Sequence, residues 1–145
     1  MTADRHAGFT TGEPWIAVNP NHTEINVAAA VADPDSVFHH YRRLIELRHT
    51  EPAVAEGDFH MLLPDHPTVY AFTRTHDDTQ LLVVVNVASE PSVATVPDGA
   101  TWNGAETVMC TAAHGSAAAA PVAVDGTVTL SPWEARVLRR QSRAV

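Results

Sequence analysis

The stretch Val69-Tyr70-Ala71-Phe72-Thr73-Arg74-Thr75-His76-Asp77-Asp78-Thr79-Gln80-Leu81-Leu82-Val83-Val84-Val85 decides the fold. Residues 68–75 set Val69, Ala71 and Thr73 against Tyr70, Phe72 and Arg74, the period of two of a half-buried strand. Residues 81–85 are apolar on both faces, which marks a central strand. Asp77-Asp78 between them has the composition of a hairpin turn, so these two carboxylates read as solvated turn residues rather than a catalytic pair.

Working outward, similar runs cover residues 58–63, 92–96, 106–111, 127–130 and 135–140. Turn signals separate them at Pro64-Asp65, Glu90-Pro91, Pro97-Asp98-Gly99, Asn103-Gly104 and Asp125-Gly126. Short strands at this spacing predict a mainly β domain over residues 53–145: an antiparallel β-sandwich of Greek-key type with seven or eight strands. Trp133 is expected to pack under the last strand, Trp102 to lie in a turn beside a sandwich edge, and residues 117–120 to form a loop.

Upstream the pattern changes twice. Residues 33–50 predict one amphipathic helix with Asp33 as N-cap and Pro34 in its first turn. Val37, Phe38, Tyr41, Leu44 and Ile45 recur at three- and four-residue steps, and Pro52 ends the run. Such a stripe needs a surface to cover it. Residues 1–32, rich in Gly, Pro and Asn, read as an extended arm anchored by Phe9 and Trp15. An irregular segment this long either lies on something larger or stays unstructured.

Charge and composition remove several function classes. The net charge is −8 and the chain has no Lys, so a phosphate backbone or an anionic membrane surface is a poor partner. A single cysteine, Cys110, and an N-terminus without a secretory layout point to a reducing compartment, the cytoplasm. The nine histidines lack metal spacing: His39 and His40 are adjacent and point apart, while His60, His66 and His76 are dispersed, so no metal or cofactor is expected. Cys110 sits in the apolar run Val108-Met109-Cys110 and reads as a small buried hydrophobe. Ser116 lacks the second glycine of a nucleophile elbow, and Glu51 and Glu56 read as surface charges.

The string Ala7-Gly8-Phe9-Thr10-Thr11-Gly12-Glu13-Pro14-Trp15-Ile16-Ala17-Val18-Asn19-Pro20-Asn21 resembles the oligo-1,6-glucosidase and α-glucosidase branch of glycoside hydrolase family 13. Asp33-Pro34-Asp35-Ser36, Tyr41-Arg42, Leu44-Ile45, Leu47-Arg48, Gly57-Asp58-Phe59 and Leu62-Leu63-Pro64 continue the likeness, as does Leu130-Ser131-Pro132-Trp133-Glu134-Ala135-Arg136-Val137-Leu138. The resemblance implies that residues 1–32 are the last strand-to-helix connection of a catalytic barrel, and that 33–50 are its final helix. The rest would be the C-terminal sandwich. It also implies that the catalytic Asp, Glu and Asp of the family lie upstream, and no carboxylate here matches their motifs.

The chain is therefore expected to be inactive alone, bracing the barrel of an enzyme of short α-linked glucosides. The alternatives are a stand-alone carbohydrate-binding sandwich, with Phe9, Trp15 and Trp102 as candidate sugar-stacking residues, or a subunit complementing a separately encoded barrel. The expected partner is that barrel, or a second copy held through the helix stripe, with oligosaccharide as a further possibility.

Overall fold

The structure is a computed structural model and describes residues 1–112, 122–123 and 125–141. Two compact units, Met1–Leu47 and Arg48–Val145, make up the chain.

The first unit is more regular than the expected arm. Single 3-10 turns form at Arg5–Gly8 and Pro20–Thr23, the second opened by Asn19, whose side chain accepts from the Asn21 N–H. Val27–Ala32 then forms helix α1, with Asn26 as its cap accepting from the Ala29 N–H at 2.9 Å. The alanine run explains a helix the pattern did not predict, because alanine is the strongest helix former. Helix α2 spans Val37–Thr50. Asp33 is consequently not the N-cap of α2: it closes α1 in an extended conformation, φ −97° and ψ 109°. Pro34 enforces that break, since a residue before proline is pushed out of the helical region. Asp33 Oδ1 and its carbonyl accept from Asp35 and Ser36, making the turn between the helices.

In the second unit a four-residue helix, α3 at Pro52–Ala55, is capped by Glu51. Among the described residues seven strands follow: β1 Asp58–Met61, β2 Val69–His76, β3 Thr79–Asn86, β4 Ser92–Thr95, β5 Glu106–Cys110, β6 Thr127–Leu130 and β7 Ala135–Gln141. Each overlaps a run expected from the sequence. They form a five-stranded antiparallel sheet, ordered β1-β2-β3-β7-β5, and a two-stranded sheet, β4-β6. The apolar strand β3 is central, as its two-sided pattern requires. Asp77 takes the left-handed φ of 48° in the β2–β3 turn, a conformation Asp tolerates better than most residues.

The core lies between the two sheets. Val69, Ala71, Leu82, Val84 and Leu138 from the larger sheet meet Ala94, Val128 and Leu130 from the smaller, with Val96, Trp102 and Val122 completing the cluster. The turns at Gly99 and Gly126 press together: a Cβ on Gly99 would stand 1.9 Å from the Gly126 Cα, so only glycine fits there. Trp133 is not under the last strand. It is 65% exposed at a left-handed φ of 58°, and its place in the core is taken by Trp102.

Candidate functional site

The predicted sugar-stacking residues separate. Trp102 ends the 3-10 turn Gly99–Trp102 and is 2% exposed, with the Arg140 guanidinium 4.7 Å from its ring centroid. A ring enclosed in the core and covered by a cation offers no face to a pyranose, so Trp102 is corrected from a binding candidate to a core residue. Phe9 and Trp15 are both exposed, Trp15 at 94%. Phe9 lines a hollow of about 680 Å³ with Asp4, Arg5, His6, Thr10 and Thr11. His6 and Gly8, which line it, flank Ala7 in a run of left-handed residues with φ of 56°, 55° and 72°. Gly8 packs its backbone against Thr2, where a Cβ would approach Oγ1 to 2.4 Å.

The helix stripe is brought together as the periodicity requires. Val37, Phe38, Tyr41, Arg42 and Ile45 line an apolar groove of about 390 Å³ on α2. Val37, Tyr41 and Ile45 are each more than half exposed, and Phe38 and Leu44 are open as well. Side chains of α2 reach back to the preceding segment: Arg43 donates to the Pro34 carbonyl, and His39 Nε2 lies 2.9 Å from the Val31 carbonyl oxygen.

The carboxylates that are buried among the described residues, Glu51 and Glu134, are both committed to arginine. Glu51 is not the surface charge its sequence position suggests. It accepts from the Ala53 N–H and from Arg139, which also donates to Glu106; these bonds raise the Arg139 guanidinium above its ordinary value. Glu134 accepts from the Ser131 N–H at 2.8 Å and from Arg136 Nε at 3.0 Å. Burial works to raise its carboxyl. The Ser131 and Arg136 hydrogen bonds and the Arg136 charge outweigh that and hold it below the usual range. A general acid for glycoside cleavage needs the opposite shift. Cys110, half-buried rather than enclosed, donates through Sγ to Glu134 at 3.4 Å; burial pushes its thiol up, away from the reactive thiolate.

Neither Asp77-Asp78 nor Glu56 forms a paired site. Asp77 is an exposed turn residue 3.5 Å from His76, and Glu56 lies 3.6 Å from the same ring. Among the described residues no group of three or more His, Cys, Asp or Glu could hold a metal ion, and no helix is long and apolar enough to cross a membrane. Ser116, with His114 and Gly115, and the stretch 117–120 lie outside the described residues.

Two family models match in tandem. "Alpha amylase, catalytic domain" covers residues 1–57, and "Maltogenic Amylase, C-terminal domain" covers residues 59–137. The chain belongs to the α-amylase family of glycoside hydrolases. This family member is 40% identical over 134 residues to an oligo-1,6-glucosidase of Parageobacillus thermoglucosidasius. It is 38% identical over 135 residues to that of Bacillus cereus; either match covers 92% of the chain and 23% of the relative. A crystal structure of the trehalulose synthase MutB from Pseudomonas mesoacidophila MX-45 superposes with a TM-score of 0.79 at 42% identity, over 94% of this chain and 23% of that one. The α-amylase family member described here thus spans about a quarter of the length of these relatives. Its catalytic-domain match ends at Gly57, immediately before β1.

Proposed function

We propose that this chain is the C-terminal part of an α-glucosidase-type hydrolase of short α-linked glucosides, and that it braces the catalytic barrel without contributing a cleaving group. The observation that carries the reading is the open stripe on α2, which lies inside the catalytic-domain match. Full burial of a large apolar side chain is worth about 1.5–3 kcal/mol, so five such residues left between 37% and 72% exposed forfeit part of that each, against a typical domain stability of roughly 5–15 kcal/mol. A barrel surface supplied by the rest of the catalytic domain would recover that loss. The names of the relatives support the substrate class, and the commitment of Glu51 and Glu134 to arginines supports the absence of chemistry. The single cysteine, Cys110, supports a reducing compartment such as the cytoplasm.

Gel filtration of the chain mixed with a Bacillus cereus oligo-1,6-glucosidase fragment that stops where the match to this chain begins tests the reading. Co-elution is expected, and separate elution at micromolar concentrations of both overturns it. Whether such a barrel is encoded on the same chain or separately does not alter this expectation.

A second reading is favoured by one observation, the nearly complete exposure of Trp15. An exposed indole suits the apolar side of a sugar ring, as in a carbohydrate-binding sandwich. Titration with maltose or isomaltose separates the two: quenching of tryptophan fluorescence that is lost in Trp15→Ala supports sugar binding, and an unchanged spectrum removes it.

A further inference from the structure

Trp102-Asn103-Gly104-Ala105 forms a tight turn before β5, with the Ala105 N–H donating to the Trp102 carbonyl at 3.0 Å. Asn103 at φ −64° and ψ 123°, followed by Gly104 at φ 78°, gives it type II geometry, which requires a left-handed residue at the third position. Both central residues are exposed, and a Cβ on Gly104 would meet nothing within 4 Å. Among the described residues nothing accepts from the Gly104 N–H. The turn is nevertheless tied to the interior. Asn103 Nδ2 donates to the Val122 carbonyl at 3.3 Å, and Val122 is fully buried in the core. Trp102, the residue before Asn103, is buried in the same core cluster.

A backbone nitrogen attacks the side-chain amide of the preceding asparagine most readily when it belongs to glycine, which has no side chain to obstruct the approach. The other asparagines lack that setting. Asn19 precedes Pro20, which has no N–H, and Asn21, Asn26 and Asn86 precede His22, Val27 and Val87. Asn86 is moreover buried, with its amide donating to two carbonyls. We propose that Asn103 is a site of spontaneous covalent modification, deamidating through a succinimide with water as the co-reactant. The Gly104 nitrogen gives up its proton to hydroxide and bonds to Asn103 Cγ. The Cγ–Nδ2 bond breaks, and the amide nitrogen takes a proton from water and leaves as ammonia. Water then opens the ring at either carbonyl, which yields aspartate, or isoaspartate with the chain running through Cγ. At ψ 123° the Gly104 nitrogen is turned away from the side chain, so closure follows a flip of the Asn103–Gly104 peptide, which glycine permits at little steric cost. Neither product keeps the Nδ2 donor. A carboxylate takes its place opposite the Val122 carbonyl, and isoaspartate also lengthens the turn by one backbone carbon. The reaction thus unties the turn from the core beside Trp102 and Val122 and adds one negative charge.

Peptide mapping by mass spectrometry, after the folded chain has stood in alkaline and in acidic buffer, tests this. Acid should form first at Asn103, as both aspartate and isoaspartate, and faster in the alkaline buffer. Asn103→Gln, whose longer side chain closes a ring more slowly, should gain no acid at this position over the same period. Asn103→Asp reproduces one product directly and should lower the Tm by about 3 °C. Because the mapping is done on the unaltered chain, it stands even if a variant fails to fold. Acid forming first at another asparagine overturns the proposal, as does an Asn103→Asp variant that melts together with the unmodified chain.

Discussion

Arg136 on β7 and Glu134, two residues before it, form an ion pair with both side chains almost fully buried, Nε donating to Oε1 at 3.0 Å. The same guanidinium reaches the Thr129 carbonyl of β6 at 3.3 Å, so the pair links the larger sheet to the smaller. Removing one member of a buried pair leaves an uncompensated charge, which costs about 3–5 kcal/mol. Glu134→Ala and Arg136→Ala should each show that loss in urea unfolding. Replacing both by Leu and Met should recover most of it, because a packed apolar pair of similar volume performs comparably.

The same pair fixes the acid limb of stability. Glu134 titrates lower in the folded protein than in the unfolded chain. Its contribution is therefore complete above the unfolded glutamate value of about 4.3 and is lost as pH falls through the folded value. Unfolding free energy measured from pH 7 to pH 3 should fall below about pH 4.3, and the Glu134→Gln variant should show a shallower fall.

The indoles should separate sharply. Trp102→Ala empties part of the core and should cost about 3–5 kcal/mol, whereas Trp15→Ala and Trp133→Ala at exposed positions should stay within about 0.5 kcal/mol. Thermal or urea melts of the three variants check this.

For the helix stripe the expectation runs the other way. Tyr41→Glu with Ile45→Glu exchanges exposed apolar residues for helix-compatible charge, so the second unit's melting should not change. An open apolar stripe also promotes association. Light scattering of the isolated chain should accordingly decrease in the variant, and co-elution with a catalytic-domain fragment should be lost.

Much of the sandwich was legible in the residues because strand periodicity and turn chemistry agree. The two-sided run at 81–85 placed β3 in the centre, and Asp77-Asp78 gave the hairpin. The helix boundary was not, because the Asp33-Pro34 signal serves equally to end α1 and to open the turn before α2. Trp102 and Trp133 exchanged roles for a related reason: burial of an isolated aromatic in a turn depends on which turns pack together, here those at Gly99 and Gly126, and no local pattern encodes that. Glu51 had a readable signal, lying one residue before Pro52 as an N-cap does. Its partner Arg139 is 88 positions away and is found only through the fold.

On the proposed function, this chain supports a catalytic domain and carries out no cleavage itself. Turnover of p-nitrophenyl α-glucoside and isomaltose by the chain alone, by the truncated Bacillus cereus catalytic-domain fragment alone, and by their mixture tests it most directly. The chain should show no turnover, the fragment weak or no turnover, and the mixture a gain that the Tyr41→Glu, Ile45→Glu variant fails to give. Turnover by the purified chain, or a mixture no more active than the fragment, would contradict it.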